Sequence, residues 1–141
     1  MTAIKVDIVT AEQLVYSEDV DVVIVPGVDG EMAVLPSHAP LMTMIKPGEL
    51  RLKTGAEEIL MAVTGGFLEV RPDRITIMAD AAERAEDIDI SRAEAAKRRA
   101  EERLKGAVTE VDTARAEASL RRSLIRLQVV QKRKRKRPEI N

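Results

Sequence analysis

Cysteine is absent from the 141-residue chain. That excludes disulfides, thiolate metal sites and a cysteine nucleophile. Histidine occurs once, at His38, so a multi-histidine metal site is ruled out and a Ser-His-Asp triad would have a single possible base. One Phe, one Tyr and no Trp leave no aromatic platform for stacking single-stranded nucleic acid. No apolar run approaches the roughly 20 residues that span a bilayer. The start, Met1-Thr2-Ala3-Ile4-Lys5, lacks the apolar stretch of a secretory signal. No Gly-x-x-x-x-Gly-Lys-Ser/Thr loop occurs, so a phosphate loop that hydrolyses nucleotide is unsupported. No pair of carboxylates stands out as acid and base. The expectation is a soluble intracellular protein without a catalytic cluster of its own.

What the chain does have is divided at Glu86. Every glycine but Gly106 and every proline but Pro138 lies before it. Beyond it the sequence is rich in Ala, Arg, Glu and Lys. Residues 1–86 carry seven Lys/Arg against fifteen Asp/Glu, a net of −8; residues 87–141 carry sixteen against nine, a net of +7. Two modules of opposite charge are expected, 1–86 and 87–141. A core of fewer than about 100 residues has limited stability by itself, so partners can contribute.

The first module reads as β. Ile4, Val6 and Ile8 alternate with Lys5 and Asp7, the period of a half-buried strand. Val20, Val22 and Ile24 form a second alternating run that Pro26-Gly27 ends. Asp29-Gly30 supplies a turn before Met32 to Leu35, and Gly55, Gly65-Gly66 and Pro72-Asp73 punctuate the rest. Short strands with a turn every eight to twelve residues suggest a sandwich or flattened barrel. Nothing alternates β with α, so a parallel sheet is not expected.

The second module reads as two helices. Asp87 to Asp89 offers N-caps for a helix from about Ile90 to Lys105, with Gly106 as its C-terminal cap. Asp112 or Thr113 is expected to cap a second helix running to about Lys132. A short link between them makes an antiparallel hairpin. Ile90, Ala93, Ala100 and Leu104 lie near one face of the first helix; Ala116, Leu120, Leu124 and Leu127 stripe the second. Alanine favours helix but buries little apolar area, so the seam should be weak. Such an element can change position, or it can be an ordinary fixed hairpin; periodicity leaves both open.

Chemistry is suggested at the seam between modules. Arg92 and Arg99 are seven apart and share a face; Arg122 and Arg126 are four apart and share another. Forked guanidiniums suit phosphate oxygens. Glu83 and Asp89 could accept from an exocyclic amine or ribose hydroxyls. The alternative is a solvated face with i,i+4 pairs such as Glu94–Arg98. Glu31 follows a turn and is either a contact residue or a solvated charge. His38, in a proline-bounded loop, is either a catalyst or a structural hydrogen bonder, and a lone histidine favours the second. The run Lys132 to Arg137 should be frayed by unrelieved repulsion, and such runs bind nucleic acid or anionic headgroups non-specifically.

Over nearly all of residues 1–131 the chain resembles the epsilon subunit of bacterial F-type ATP synthases. The resemblance is carried by Gly30-Glu31 through Leu35-Pro36-Ser37-His38-Ala39-Pro40-Leu41, by Thr64-Gly65-Gly66-Phe67-Leu68-Glu69-Val70, and by the seam. Members usually have glycine where this chain has Ala33 and Ser37. The resemblance implies an α+β protein: a ten-stranded antiparallel β-sandwich followed by an antiparallel two-helix hairpin. It implies a non-catalytic subunit of the central stalk, docked on the gamma subunit and the c-ring and coupling ring rotation to ATP synthesis. It implies that Glu31 and His38 face the rotor partners. It further implies a hairpin that is either compact or extended along gamma, the extended form meeting the α/β subunits and inhibiting ATP hydrolysis.

The segment Ile88-Asp89-Ile90-Ser91-Arg92-Ala93 also resembles the nucleotide motif of that family. With Glu83, Arg99, Arg122 and Arg126 it implies ATP as a regulatory ligand, with Mg²⁺ involvement left open. The implied location is peripheral, on the cytoplasmic face of the bacterial plasma membrane, without insertion. A stand-alone ATP-sensing module and a nucleic-acid-binding protein are the competing classes. The acidic first module and the missing aromatics count against nucleic acid.

Overall fold

The computed structural model describes residues 3–136. The chain divides into two compact units, Met1–Arg84 and Ala85–Asn141.

The first unit is a ten-stranded sheet. Its strands are β1 (Ile4–Val9), β2 (Leu14–Val20), β3 (Val22–Gly27), β4 (Gly30–Val34), β5 (Leu41–Ile45), β6 (Gly48–Thr54), β7 (Glu57–Val63), β8 (Gly66–Val70), β9 (Arg74–Ala79) and β10 (Ala82–Arg84). Hydrogen-bonded order is β10-β7-β6-β3-β5-β8-β9-β1-β2, with β4 paired to β3. Alternation drives this arrangement: Ile4, Val6 and Ile8 are buried while Lys5 and Asp7 are half-buried. Inward residues from most strands, among them Val6, Val23, Leu50, Met61, Leu68 and Ile75, share one core. The sheet therefore closes over itself as a sandwich.

Two features differ from the sequence expectation. The run around Val20 to Ile24 is two strands, β2 and β3, broken at Asp21. That aspartate makes a corner: its N–H donates to the Lys53 carbonyl at 2.8 Å and its carboxylate accepts from the Gly55 N–H at 2.7 Å. Also, β1 pairs with β9 in parallel, whereas the other pairings are antiparallel. A parallel partner brought in from the far end of a β module needs no intervening helix, so the missing β–α alternation did not reveal it.

Gly66 sits at φ 142°, where L side chains are strained. A Cβ there would press on the Met78 carbonyl oxygen and lie 2.9 Å from Ala79 Cα. This close approach is what lets β8 begin directly against β9.

The second unit opens with a 3₁₀ turn, Ala85–Asp87, followed by α1 (Ile90–Lys105) and α2 (Glu110–Lys136). Asp89 caps α1, its carboxylate accepting from the Arg92 N–H at 3.1 Å. The Gly106 N–H closes the other end on the Glu102 carbonyl at 3.2 Å. The cap of α2 is Thr109, not Asp112 or Thr113: its hydroxyl accepts from the Asp112 N–H at 3.0 Å. Thr109-x-x-Asp112 is the sequence form of such a start.

The helix also continues past Lys132 to Lys136. Lys and Arg are good helix formers, and cations favour the negative end of the helix dipole. These effects outweigh the repulsion that was expected to fray the run. Arg137, the last of the run, lies outside the described residues.

The hairpin seam is built from small residues. Ala93, Ala100, Ala116 and Ser123 are buried, and the Ser123 hydroxyl donates to the Ser119 carbonyl at 3.0 Å. Leu124, expected in the stripe, is exposed, while Leu120 and Leu127 flank the seam half-buried. Helices whose facing residues are this small can approach closely, but each contact removes little apolar area from water.

Candidate functional site

The motif residues occupy the base of the hairpin. Ile88 is buried, Asp89 is the α1 cap, Arg92 is exposed on the first turn, and Ala93 is buried in the seam. Arg99 is exposed two turns further along the Arg92 face. On α2, Arg122 is exposed and donates to the Ser119 hydroxyl at 3.0 Å, whereas Arg126 is half-buried and already engaged. The helices run antiparallel about the 106–109 link. Seam partners therefore fall in the order Ala93 near Ser123 and Ala100 near Ala116. That order sets Arg122 and Arg126 level with the Asp89–Ala93 turn, while Arg99 stands nearer the level of Ala116. Four guanidiniums are thus distributed along one hairpin, two of them level with the Arg92 turn. The Glu94–Arg98 pair weighed from the sequence does not form; Lys97 reaches Glu101 at 4.0 Å instead. Glu83 belongs to the first unit, on β10, in register with Ala62 of β7 and engaged in contacts of its own.

Glu31 and His38 are positioned by β4 and the loop after it. Glu31 stands on the strand, opposite Pro26 of β3. It is exposed, yet its carboxylate accepts from the Arg51 guanidinium at 3.0 Å, and Arg51 also reaches Glu49 at 3.4 Å. His38 lies in the loop beyond the strand's far end. Ser37 adopts φ 71°, and the His38 N–H donates to the Leu35 carbonyl at 3.2 Å. His38 Nδ1 is 2.7 Å from the Ala39 carbonyl oxygen. A carbonyl can only accept, so Nδ1 carries a proton and donates.

Sequence reasoning missed an apolar row on the outside of the sheet. Met44 of β5 is in register with Phe67 of β8, Phe67 with Met78 of β9, Met78 with Val9 of β1, and Val9 with Leu14 of β2. Met44, Phe67, Met78 and Leu14 are 39–58% exposed, and Met42 on the same face of β5 is 61% exposed. The signal was present in Leu41-Met42-Thr43-Met44-Ile45: a strand with apolar residues in both phases has two faces to cover. A contiguous exposed patch of this kind marks an interaction surface.

Tyr16, the only tyrosine, was also unremarked. It is buried on β2, and Arg84 at the end of β10 stands over its ring at 5.6 Å. Burial, then the neighbouring Glu18 carboxylate, pushes the phenol up to about 12, against the opposite pull of Arg84. The pair ties the last strand of the first unit to its body. Among the described residues no group of His, Asp and Glu could hold a metal, and no helix is long and apolar enough to cross a membrane.

Comparison with known proteins matches both units. The family of the ATP synthase delta/epsilon chain beta-sandwich domain matches residues 3–85, and that of the delta/epsilon chain long alpha-helix domain matches residues 86–131. The ATP synthase epsilon chain of Dehalococcoides mccartyi strain BAV1 is 57% identical over 99% of this chain and 100% of its own length. That of Acidithiobacillus ferridurans is 45% identical over 92% of each. In fold, the chain is similar to one in the OSCP/F1/c-ring structure of the Euglena gracilis mitochondrial ATP synthase. There the TM-score is 0.79 at 21% identity, covering 92% of this chain and 81% of that one. With both halves matched in order and near full-length identity to epsilon chains, this chain belongs to the ATP synthase delta/epsilon family, among its epsilon chains, non-catalytic subunits of that enzyme.

Proposed function

We propose that the chain works in the central stalk of a proton-translocating ATP synthase, coupling rotation of the c-ring to ATP synthesis through gamma, and that ATP regulates its hairpin. The observation that carries the regulatory part is the arginine arrangement. Arg122 and Arg126 stand level with the turn that bears Asp89 and Arg92, on a helix pair joined by a seam of alanine and serine. ATP bridges the guanidiniums of the two helices and holds them closed. Without it, repulsion among them favours separation, and the freed α2 offers Arg115, Arg121, Arg122 and Arg126 to acidic surfaces on the α/β subunits, where it inhibits hydrolysis. A ligand shifts such a balance only by its differential affinity; at about 100 times its dissociation constant it contributes roughly 2.7 kcal/mol.

The apolar row from Met44 to Leu14 supports a protein partner for the first unit, and gamma is the partner we assign to it. Glu31 and His38 are assigned to the polar loops of the c-ring. The subunit then sits peripherally at the cytoplasmic face of the plasma membrane, held by these partners.

The test is an ATP titration read by a distance between labels on α1 and α2. The expected result is closure in the wild type and none in Arg92→Ala with Arg126→Ala. Distances that ignore ATP in the wild type, or an equal response in the double variant, refute the regulatory reading. Co-purification with gamma and the c-ring from solubilised membranes tests the stalk assignment, and recovery without them refutes it.

A further inference from the structure

The extra length of α2 carries a second device. With 27 residues against 16, α2 is about 40 Å long and α1 about 24 Å. Since only a short link joins them, the last ten or so residues of α2 run past the start of α1. There they meet the 3₁₀ turn Ala85–Asp87, which packs on α2. Arg133 Nη2 lies 3.7 Å from Glu86 Oε2. Val129 and Val130, one turn earlier, are buried, and so is Ala85. Among the described side chains, the charged groups of this region are Glu86 and Asp87 on the turn and Lys132, Arg133 and Lys134 on α2.

We infer that the basic end of α2 is an intramolecular clasp: it grips the acidic turn Glu86-Asp87 and holds the hairpin closed independently of nucleotide. This rests on the reading that the hairpin opens. The ion pair gives the clasp its salt sensitivity. Because the clasped turn leads directly into Ile88 and Asp89, the clasp and the nucleotide act on one closed state from adjacent positions.

Arg133 and Glu86 are 38% and 49% exposed at the side chain. Exposed pairs contribute little, so breaking this one should change the closed-to-open ratio by about two- to fivefold. The full chain has no cysteine, which allows spin labels at Glu94→Cys and Gln128→Cys without background. In low salt and without ATP, Arg133→Glu should lower the closed-to-open ratio by that factor, and adding Glu86→Lys should restore it. Molar salt should bring the wild type to the level of Arg133→Glu. An Arg133→Glu distance distribution identical to wild type, or a double swap that restores nothing, overturns the clasp. A wild type that closes with ATP while Arg133→Glu changes nothing refutes the clasp alone. A response to Arg133→Glu with none to ATP refutes the nucleotide reading alone.

Discussion

Replacing Gly66 by alanine should be among the most damaging single changes in the first unit. The backbone there has φ 142°, and a methyl group would collide with the Met78 carbonyl and lie 2.9 Å from Ala79 Cα. Both obstacles are backbone, so no side chain can swing aside. Holding a non-glycine residue in such a conformation costs about 1–3 kcal/mol, and parting β8 from β9 loses one or two ladder hydrogen bonds at about 1 kcal/mol each. The sum is about 2–5 kcal/mol. An 84-residue unit has only about 4–13 kcal/mol in total at typical stabilities per residue. Gly55→Ala is the control: φ is 60°, nothing lies within 4 Å of the added methyl, and the cost should be about 1 kcal/mol. Urea unfolding followed by circular dichroism measures both, and a midpoint shift at constant slope identifies a stability change. If Gly66→Ala unfolds at the same urea concentration as Gly55→Ala, the close approach of β8 and β9 does not matter as argued. A second readout follows from position. Phe67 is the next residue, and its register with Met44 and Met78 depends on the same approach. Gly66→Ala should therefore also weaken capture of gamma, the partner proposed for that row, where the protein remains folded.

Tyr16 sets an alkaline limit. Its folded pKa of about 12 exceeds the ordinary value of 10.0, so the unfolded chain loses the proton first. The resulting stability is whole below pH 10 and falls as pH rises toward 12, by up to about 2–3 kcal/mol. Tyr16→Phe should flatten that part of the stability–pH curve, and an unchanged slope refutes the assignment. Ser37 occupies φ 71°, so Ser37→Gly relieves strain and should raise stability by about 0.5–1 kcal/mol, net of the greater freedom of glycine when unfolded. A lowered thermal midpoint would count against it.

Where period and chemistry agreed, the chain was legible. Ile4, Val6 and Ile8 announced β1, and Asp89 and Gly106 bounded α1 because capping is a local event. β2 was obscured because Leu14–Val20 has no clean alternation, with Glu18 and Asp19 exposed in sequence. The break at Asp21 depends on Lys53 and Gly55, more than thirty residues away, which a local pattern cannot carry. In the hairpin, periodicity favoured Leu124, but close packing of two helices admitted Ser123 instead. The arginines of the seam were visible as spacing, yet spacing alone did not separate a ligand site from a solvated face. Resemblance singled them out, and the antiparallel pairing supplied the levels. The outer apolar row was missed because its members come from five strands and meet only through register.

The parallel pairing of β1 with β9 has a consequence for how the molecule is made. Lys5 lies opposite Arg74, so the first strand leaves the ribosome long before its neighbour exists. At roughly 5–20 residues per second the interval is about 3–14 s. During it, β1 exposes one whole edge, and only then can the remaining strands trap it in mid-sheet. The helices emerge last and need only each other, so the final maturation of the sandwich and the birth of the hairpin fall almost together.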